Sequence, residues 1–593
     1  MLDNSEKLDS LEENQVFDDL KIESTLLILP ANPAPGEDFR ILSTGGVNLK
    51  KTKISVSGSS GNLESLKTEI GSELPCWRID DFQGTDTGKY TVALIFDKKE
   101  LANLGFEIGE KQKSPQKNVV WKTVRGWDSS TETLYSAWIN ALFDSFDEQS
   151  SWSSLHELTQ NRERNFLFNY LSLDEDNQES KIKVLMKPDC ADNPFFLRAY
   201  FAWKLGLPFG YHICDRGYIG KNPNVGQWIT NESSSSKNNP VLAFNSFLNN
   251  VMNGVHSGTA RTALDNENSD YYPVSLERKA LRPGTVFADP YGHTFVLVSW
   301  KPQTKNNAGK LLAVDAQPDK TIAIKRFWKG NFLFNTSEVV GEPGFKAFRP
   351  ILYENGKMQA MKNEMLTDSS GFSPFSLQQK NMESEVFYRA MERIINPKPL
   401  DPDAALLDLI QALHEQLLVR VKSIANGEAY FQAHRGTVIS MPSNAKGIFL
   451  AGGQWENFST PNRDLRLLIA MDAVLDFPER VAKYPEDFNI SKLSSPEKEK
   501  EKLQTILEKK ATELSISYIR TDGSHQELTI AEILRRRDAF EMAYNPNDGI
   551  EIRWGATENS SEMSTCKRKA PQNQQKIMLD VRKWFIQRLH PPT

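Results

Sequence analysis

A cysteine, a histidine and an aspartate follow one another in an order that suits nucleophilic catalysis. Cys190, in Lys187-Pro188-Asp189-Cys190-Ala191-Asp192-Asn193-Pro194, stands just before an aliphatic and aromatic helix. That helix stops at Gly206-Leu207-Pro208, and a strand from Gly210 to Cys214 follows. Gly292-His293-Thr294 opens an apolar strand that runs to Trp300. After the polar hairpin KPQTKNNAGK, a second strand, Leu311 to Val314, ends in Asp315. The chemistry of such a set is well defined. A thiol is mostly protonated at neutral pH, and its thiolate is the nucleophile. An imidazole within reach takes the proton and later returns it to the leaving group. A carboxylate on the far ring nitrogen fixes the tautomer and stabilises the imidazolium. Adjacent antiparallel strands lie about 4.8 Å apart, so His293 and Asp315 are expected to meet. Cys190, His293 and Asp315 are therefore the candidate catalytic residues. They are expected at one end of a small antiparallel sheet, with the Cys190 helix packed on it.

Other residues compete for these roles or bear on them. His212 and His256 are alternative bases, and Asp289 is the substitute for Asp315. Asp189 and Asp192 flank the thiol, and like-signed charge disfavours a thiolate. Pro194 reads as the first helical residue behind an Asn193 cap, which would leave Cys190 a turn ahead of the helix. The Cys190 N–H is the default oxyanion donor, with no second donor identified. Cys214 reads as a strand-core residue, whereas Cys76 and Cys566 have no partner at a convincing spacing. No H-E-x-x-H, C-x-x-C, Walker-type loop or G-x-G-x-x-G occurs, so neither metal nor nucleotide cofactor is expected. The aromatic run Phe195, Phe196, Tyr200, Phe201 and Trp203 reads as core packing.

The Cys-helix-G-L-P segment, the His strand and the V-D-A strand end together resemble the core of the transglutaminase-like branch of the papain-like cysteine peptidase superfamily. The G-H-x-x-V portion also resembles bacterial cell-wall endopeptidases of that superfamily. The resemblance implies a thioester acyl-enzyme and a protein, peptide or peptidoglycan-like substrate. Nearer the N-terminus, Asp86-Thr87-Gly88-Lys89-Tyr90-Thr91-Val92 resembles the D-x-G-x-Y-x-C corner of immunoglobulin-like domains. Val92 stands at the cysteine position, so a disulfide-free version is implied.

Four domain-scale regions are expected around these motifs: an acidic, disordered leader at 1–21, a β-sandwich at 22–102, an α+β catalytic domain at 119–357, and a mainly helical region at 375–593. Within the sandwich, STLLILP, EDFRILST, KISVSGSS, CWRIDDF and KYTVALIF are the strand-like runs. GEKQKSPQKN, 109–118, reads as a linker, NESSSSKNN, 231–239, as an exposed insertion, and 215–280 as an insertion into the core. Trp138, Ala141, Leu142 and Phe146 recur at helical spacing. Towards the C-terminus DAALLDLIQALHEQLLVRVKSI, DLRLLIAMDAVLDF and TIAEILRRRDAFEMAY read as helices. SPEKEKEKLQTILEKK reads as a solvated helix face, and VISMP, IFLAGG and SISYIR as short strands.

Composition bounds the partners. Lys and Arg number 71 against 77 Asp and Glu, which gives no general attraction for nucleic acid or anionic membrane. No apolar run reaches the roughly 18 residues that a membrane span needs. The acidic start lacks the features of a secretory signal, so a cytoplasmic place is the default expectation, with export by another route left open. Three functional readings stay open: a cysteine hydrolase, preferred because water is always present; a transglutaminase-type acyl transferase; and a non-catalytic protein- or glycan-binding scaffold. Oligomeric state is not legible in the chain.

Overall fold

Short apolar runs broken by Gly, Pro, Asn and Ser build the N-terminal region of the computed structural model. The structure describes residues 23–591, apart from 59–60, 72, 111–117, 145–149, 306, 318, 338, 368–370, 451 and 492–493. The acidic leader, most of the 109–118 linker and Phe146 therefore lie outside the described residues. The fold is mixed α+β with several antiparallel sheets. The chain divides into two compact units. The first comprises residues up to 301 with 310–327 and 334–394, and the second comprises 302–309, 328–333 and 395 onwards.

The first unit opens with eight strands: β1 (Thr25–Leu29), β2 (Phe39–Gly45), β3 (Lys53–Gly58), β4 (Gly61–Leu63), β5 (Lys67–Gly71), β6 (Cys76–Phe82), β7 (Gly88–Phe96) and β8 (Lys99–Ile108). They form two four-stranded sheets, ordered β1-β2-β6-β5 and β4-β3-β7-β8. Phe39, Ile41, Val56, Phe82, Tyr90 and Val92 fill the core between them. The Tyr90 hydroxyl donates to Asp86 O at 3.0 Å, pinning the turn before β7. β4 and β5 escape a reading of the sequence because they are short, largely exposed and polar; β8 carries an alternating Ala102, Leu104, Phe106 and Ile108 that packs on the core.

Alternate residues of β1, β2 and β6 leave the sandwich core. Leu29, Leu42, Trp77 and Ile79 pack instead with Val120, Trp138 and Leu142 of the following region. This sheet is therefore buried on both faces, which is why Ile41 and Leu42 are neighbours and both fully buried. Glu73, in the β5–β6 loop, completes the junction. It accepts from Asn140 Nδ2 at 2.9 Å, Ser299 Oγ at 2.7 Å and Trp300 N at 3.1 Å, and it pairs with Lys301 at 2.5 Å. Glu73→Ala is expected to lower stability by about 2–4 kcal/mol, since several half-buried donors lose one acceptor together. Chemical denaturation of the full chain would measure it.

The rest of the unit is built on a seven-stranded antiparallel sheet. Its strands are β9 (Ser151–Trp152), β12 (Tyr271–Pro273), β13 (Val286–Ala288), β14 (Thr294–Lys301), β15 (Lys310–Ala316), β16 (Ile322–Arg326) and β17 (Gly344–Phe348), in the order β12-β17-β13-β14-β15-β16-β9. A separate hairpin pairs β10 (Gly210–Cys214) with β11 (Val225–Thr230). Helices α1 (Ser129–Phe143), α2 (Asp192–Leu205) and α3 (Pro240–Gly254) supply the apolar partners. Phe195, Phe196, Tyr200, Phe201 and Trp203 of α2 are all within 3% of full burial. Each contributes roughly 1.5–3 kcal/mol of apolar transfer. The helix ends where expected: Gly206 takes φ 63°, and the Leu207 N–H reaches back to Ala202 O at 2.8 Å.

The NESSSSKNN segment is not simply an exposed insertion. Asn231 is fully buried, accepting from Phe209 N at 2.8 Å and donating to Trp121 O and Thr123 Oγ1 at 3.0 Å. Asn239 caps α3 by accepting from Val241 N and Leu242 N. Asparagine supplies both a donor and an acceptor, so a polar run can carry buried anchors at its ends.

The second unit is mainly helical. Its longest element, α4 (Pro402–Ala433), starts at an Asp401 cap, as the Asp-Pro pair predicts. It meets α5 (Pro461–Leu475) through a fully buried Arg420–Asp464 pair at 2.7 Å. The charged segment forms α6 (Pro496–Glu513), which is solvated except for a buried stripe of Glu499, Leu503, Leu507 and Ala511. SISYIR supplies a strand, Ser515–Ile519. Ile448, Phe449 and Leu450 of IFLAGG instead end a helix, Ala445–Leu450, and VISMP forms no strand. TIAEILRRRDAFEMAY breaks into Ile530–Arg535 and Arg537–Phe540. Short apolar runs do not distinguish strand from buried helix, so packing decided these cases.

Candidate active site

Strand pairing brings His293 to Asp315. Phe295 of β14 lies directly opposite Asp315 of β15. Opposed residues share a face, and His293, two residues before Phe295, shares it too. The His293 Nε2 makes an ion pair with Asp315 Oδ1. Asp315 also accepts from Gln317 Nε2, two residues further along the same face. Gln317 was missed in the sequence, although the D-A-Q spacing carries its signal. The His293 ring packs edge-on against Phe295, at 4.8 Å between centroids.

Cys190 reaches the same imidazole from the start of α2. Its thiol donates to Gly292 O at 3.9 Å, and the sulfur lies close enough to His293 to favour a charged ring. Since Asp315 occupies Nε2, Nδ1 is the ring nitrogen left for the sulfur. Cys190 is half-buried and the His293 side chain is 22% exposed, so the pair is open to solvent on one side. Burial opposes a charged imidazole here, but the Asp315 carboxylate and the Cys190 sulfur outweigh it and raise His293 to about 10. At neutral pH the ring is then an imidazolium paired with the Asp315 carboxylate.

The start of the helix differs from the expected Asn193 cap. Asp189 is the capping residue: its Oδ1 accepts from Ala191 N at 3.0 Å and Asp192 N at 3.2 Å, and its carbonyl accepts from Asn193 N at 3.0 Å. Asp192 Oδ2 returns the bond by accepting from Asp189 N at 3.2 Å. The two aspartates thus close a reciprocal box around Cys190, in the turn that leads directly into α2. Pro194 lies inside this first stretch. It has no N–H to give the Cys190 carbonyl four residues back, and Thr294 Oγ1 donates to that carbonyl instead. Thr294, adjacent to His293, therefore ties the Cys190 turn to β14. No acceptor among the described residues takes the Cys190 N–H.

Asp192 is 1% exposed. Burial, then the neighbouring Asp189, pushes it up to about 7. A carboxylate raised in the folded state binds its proton more tightly there than when unfolded, so stability falls as pH rises from about 4 to about 7. Asp192→Asn keeps the acceptor for Asp189 N–H and removes that charge. The variant is expected to flatten this part of the stability profile and to gain stability at pH 8. Denaturant midpoints across the range would check it.

The competitors are engaged elsewhere. His212 Nδ1 contacts Asp270 at 2.6 Å, and its ring stacks on Trp228. His256 Nε2 meets Cys214 O at 2.9 Å, and its Nδ1 accepts from Gly258 N at 3.0 Å. Asp289 is fully buried and accepts from Tyr291 N at 2.7 Å, shaping the turn before His293. Burial pushes Cys76 up to about 11. Cys214, also buried and close to Asp270, is pushed up to about 12. Burial raises Cys566 as well.

No protein-family model, curated protein or solved structure matches this chain. Among the described residues there is no group of three or more His, Cys, Asp or Glu placed to hold a metal ion. No described helix is long and apolar enough to cross a membrane.

Proposed function

We propose that the chain is a cysteine-dependent hydrolase, a peptidase or amidase, acting through a thioester on Cys190. The observation that carries this reading is the convergence of Cys190, His293 and Asp315, with Asp315 paired to Nε2 of a partly exposed ring and the Cys190 sulfur beside that ring. The Cys190 thiolate attacks the substrate carbonyl carbon, and the oxyanion forms against the Cys190 N–H. The imidazolium protonates the leaving amine as the C–N bond breaks. The neutral ring then takes a proton from water, which attacks the thioester, releases the acid and restores the thiolate–imidazolium pair. Asp315 holds Nε2–H throughout, which keeps Nδ1 directed at sulfur and water.

The same reading assigns the region 119–357 to a papain-like or transglutaminase-like fold, and the N-terminal sandwich to a disulfide-free immunoglobulin-like domain. The substrate class is a protein, peptide or peptidoglycan-like amide. An activated acyl ester, p-nitrophenyl acetate, tests the chemistry without a known substrate. The full chain should release a burst of one equivalent of nitrophenol and carry an acetyl group on Cys190. No burst, or acetylation spread over lysines and unchanged in Cys190→Ser, would refute the reading. Adding an amine such as putrescine separates the two acceptors, since capture of the acyl group by the amine in preference to water would favour acyl transfer.

A further inference from the structure

Arg261 lies buried beside the site, and the chemistry above gives it no part. It is 7% exposed. Its Nη1 donates to Pro290 O at 2.7 Å, while Nε and Nη2 reach Ser257 O and Oγ at 3.3 and 3.4 Å. Its own carbonyl accepts from Glu342 N at 2.9 Å. The guanidinium therefore grips the turn from Asp289 to Gly292 from within. That turn has two ends in the site: Gly292 O faces the Cys190 sulfur at 3.9 Å, and the next residue is His293. Gly292 adopts φ 101°, and a Cβ there would stand 3.2 Å from Ser257 Oγ and 3.9 Å from Arg261 Nη2. Arg261 is thus one residue's width from the thiol.

Its charge is also oriented toward the site. Burial pulls the guanidinium down to about 10, Asp289 and the Cys190 sulfur favour the cation against it, and exposed Arg216 opposes it. Arginine keeps its proton even when buried. Nearby Lys346 offers a contrast: its Nζ is spent on Ala260 O at 2.6 Å and Glu342 O at 2.8 Å, and burial pulls the amine down to about 7. A lysine in that setting anchors carbonyls without holding a full charge, whereas Arg261 does both.

We propose that Arg261 is a positioning residue for the Cys190–His293 pair, fixing the 289–292 turn against the thiol and holding a permanent positive charge beside the thiolate. The proposal rests on Cys190 being the nucleophile. It is tested on the full chain with iodoacetamide, reading Cys190 labelling by mass spectrometry over roughly pH 5 to 10, with Cys566 as internal reference. In Arg261→Met the rate at pH 7 should fall about tenfold, and the acid limb of the profile should move up by about one unit, the effect of losing one close positive charge. Arg261→Lys loses the planar fork and, in this buried setting, part of the charge. It should restore the position of the acid limb only in part while the rate stays several-fold low. A folded Arg261→Met chain whose profile overlays the wild type overturns the proposal. If that variant does not fold, an Arg261→Lys profile equal to the wild type in rate and position overturns it alone. His293→Ala separates the two ideas. If it leaves Cys190 labelling unchanged, the nucleophile reading fails; a His293 effect without an Arg261 effect removes only this inference.

Discussion

Asp315→Asn is expected to leave the fold intact and to slow acylation of Cys190 by an activated ester about 10²- to 10³-fold. The amide is isosteric with the carboxylate, and Gln317 can still hydrogen-bond to its oxygen. What changes is the imidazole. An amide NH₂ facing Nε2 favours the tautomer with its proton on Nδ1, the nitrogen that must take the thiol proton. The imidazolium also loses the charge that stabilises it. Burial works against a charged His293 and Asp315 is the first of the groups that offset it, so the ring should lose most of its upward displacement from the ordinary range. An imidazole titration followed by NMR would show this directly, and a ring that still titrated near 10 in Asp315→Asn would contradict it.

His293→Ala carries the second large effect. Alkylation of Cys190 near neutral pH should fall by about 10²-fold, because the thiolate loses its imidazolium partner. The same substitution has a consequence for stability with a definite sign. His293 is raised in the folded state, so its pairing contributes fully below about pH 6.5, the ordinary histidine value. That contribution is lost as pH rises through about 10. His293→Ala should therefore cost more stability at pH 6 than at pH 10. Paired denaturation curves at the two values would measure the difference, and an equal cost at both would contradict the ion pair.

The order of Cys190, His293 and Asp315 was legible because strand periodicity and hairpin length constrain which side chains share a face. The αL exit of α2 at Gly206 and the Tyr90 corner were legible for a related reason: each rests on a residue whose backbone or hydroxyl has few alternatives. The start of α2 was not. A proline after asparagine fits a helix opening, but the reciprocal Asp189–Asp192 box outcompetes it, and the bond that Pro194 cannot make is replaced from a strand about a hundred residues away. Thr294 and Arg261 were hidden for the same reason, since their roles depend on contacts that local pattern does not encode. The flanking aspartates, which looked hostile to a thiolate, prove to be the cap itself, and a raised Asp192 carries less than a full negative charge at neutral pH. Polar edge strands and the buried anchors of a serine-rich segment show the converse: composition marks exposure only where no side chain finds a partner inside.

The most direct test of the account is the set of alkylation rates of the four cysteines in one reaction on the native chain. Cys190 is half-buried beside an imidazolium, whereas burial raises Cys76, Cys214 and Cys566 above the ordinary thiol value. The account predicts that iodoacetamide at pH 7 labels Cys190 first, by about tenfold or more over Cys566, and that His293→Ala abolishes this lead. Labelling of Cys190 no faster than that of Cys566, and indifferent to His293, would contradict it.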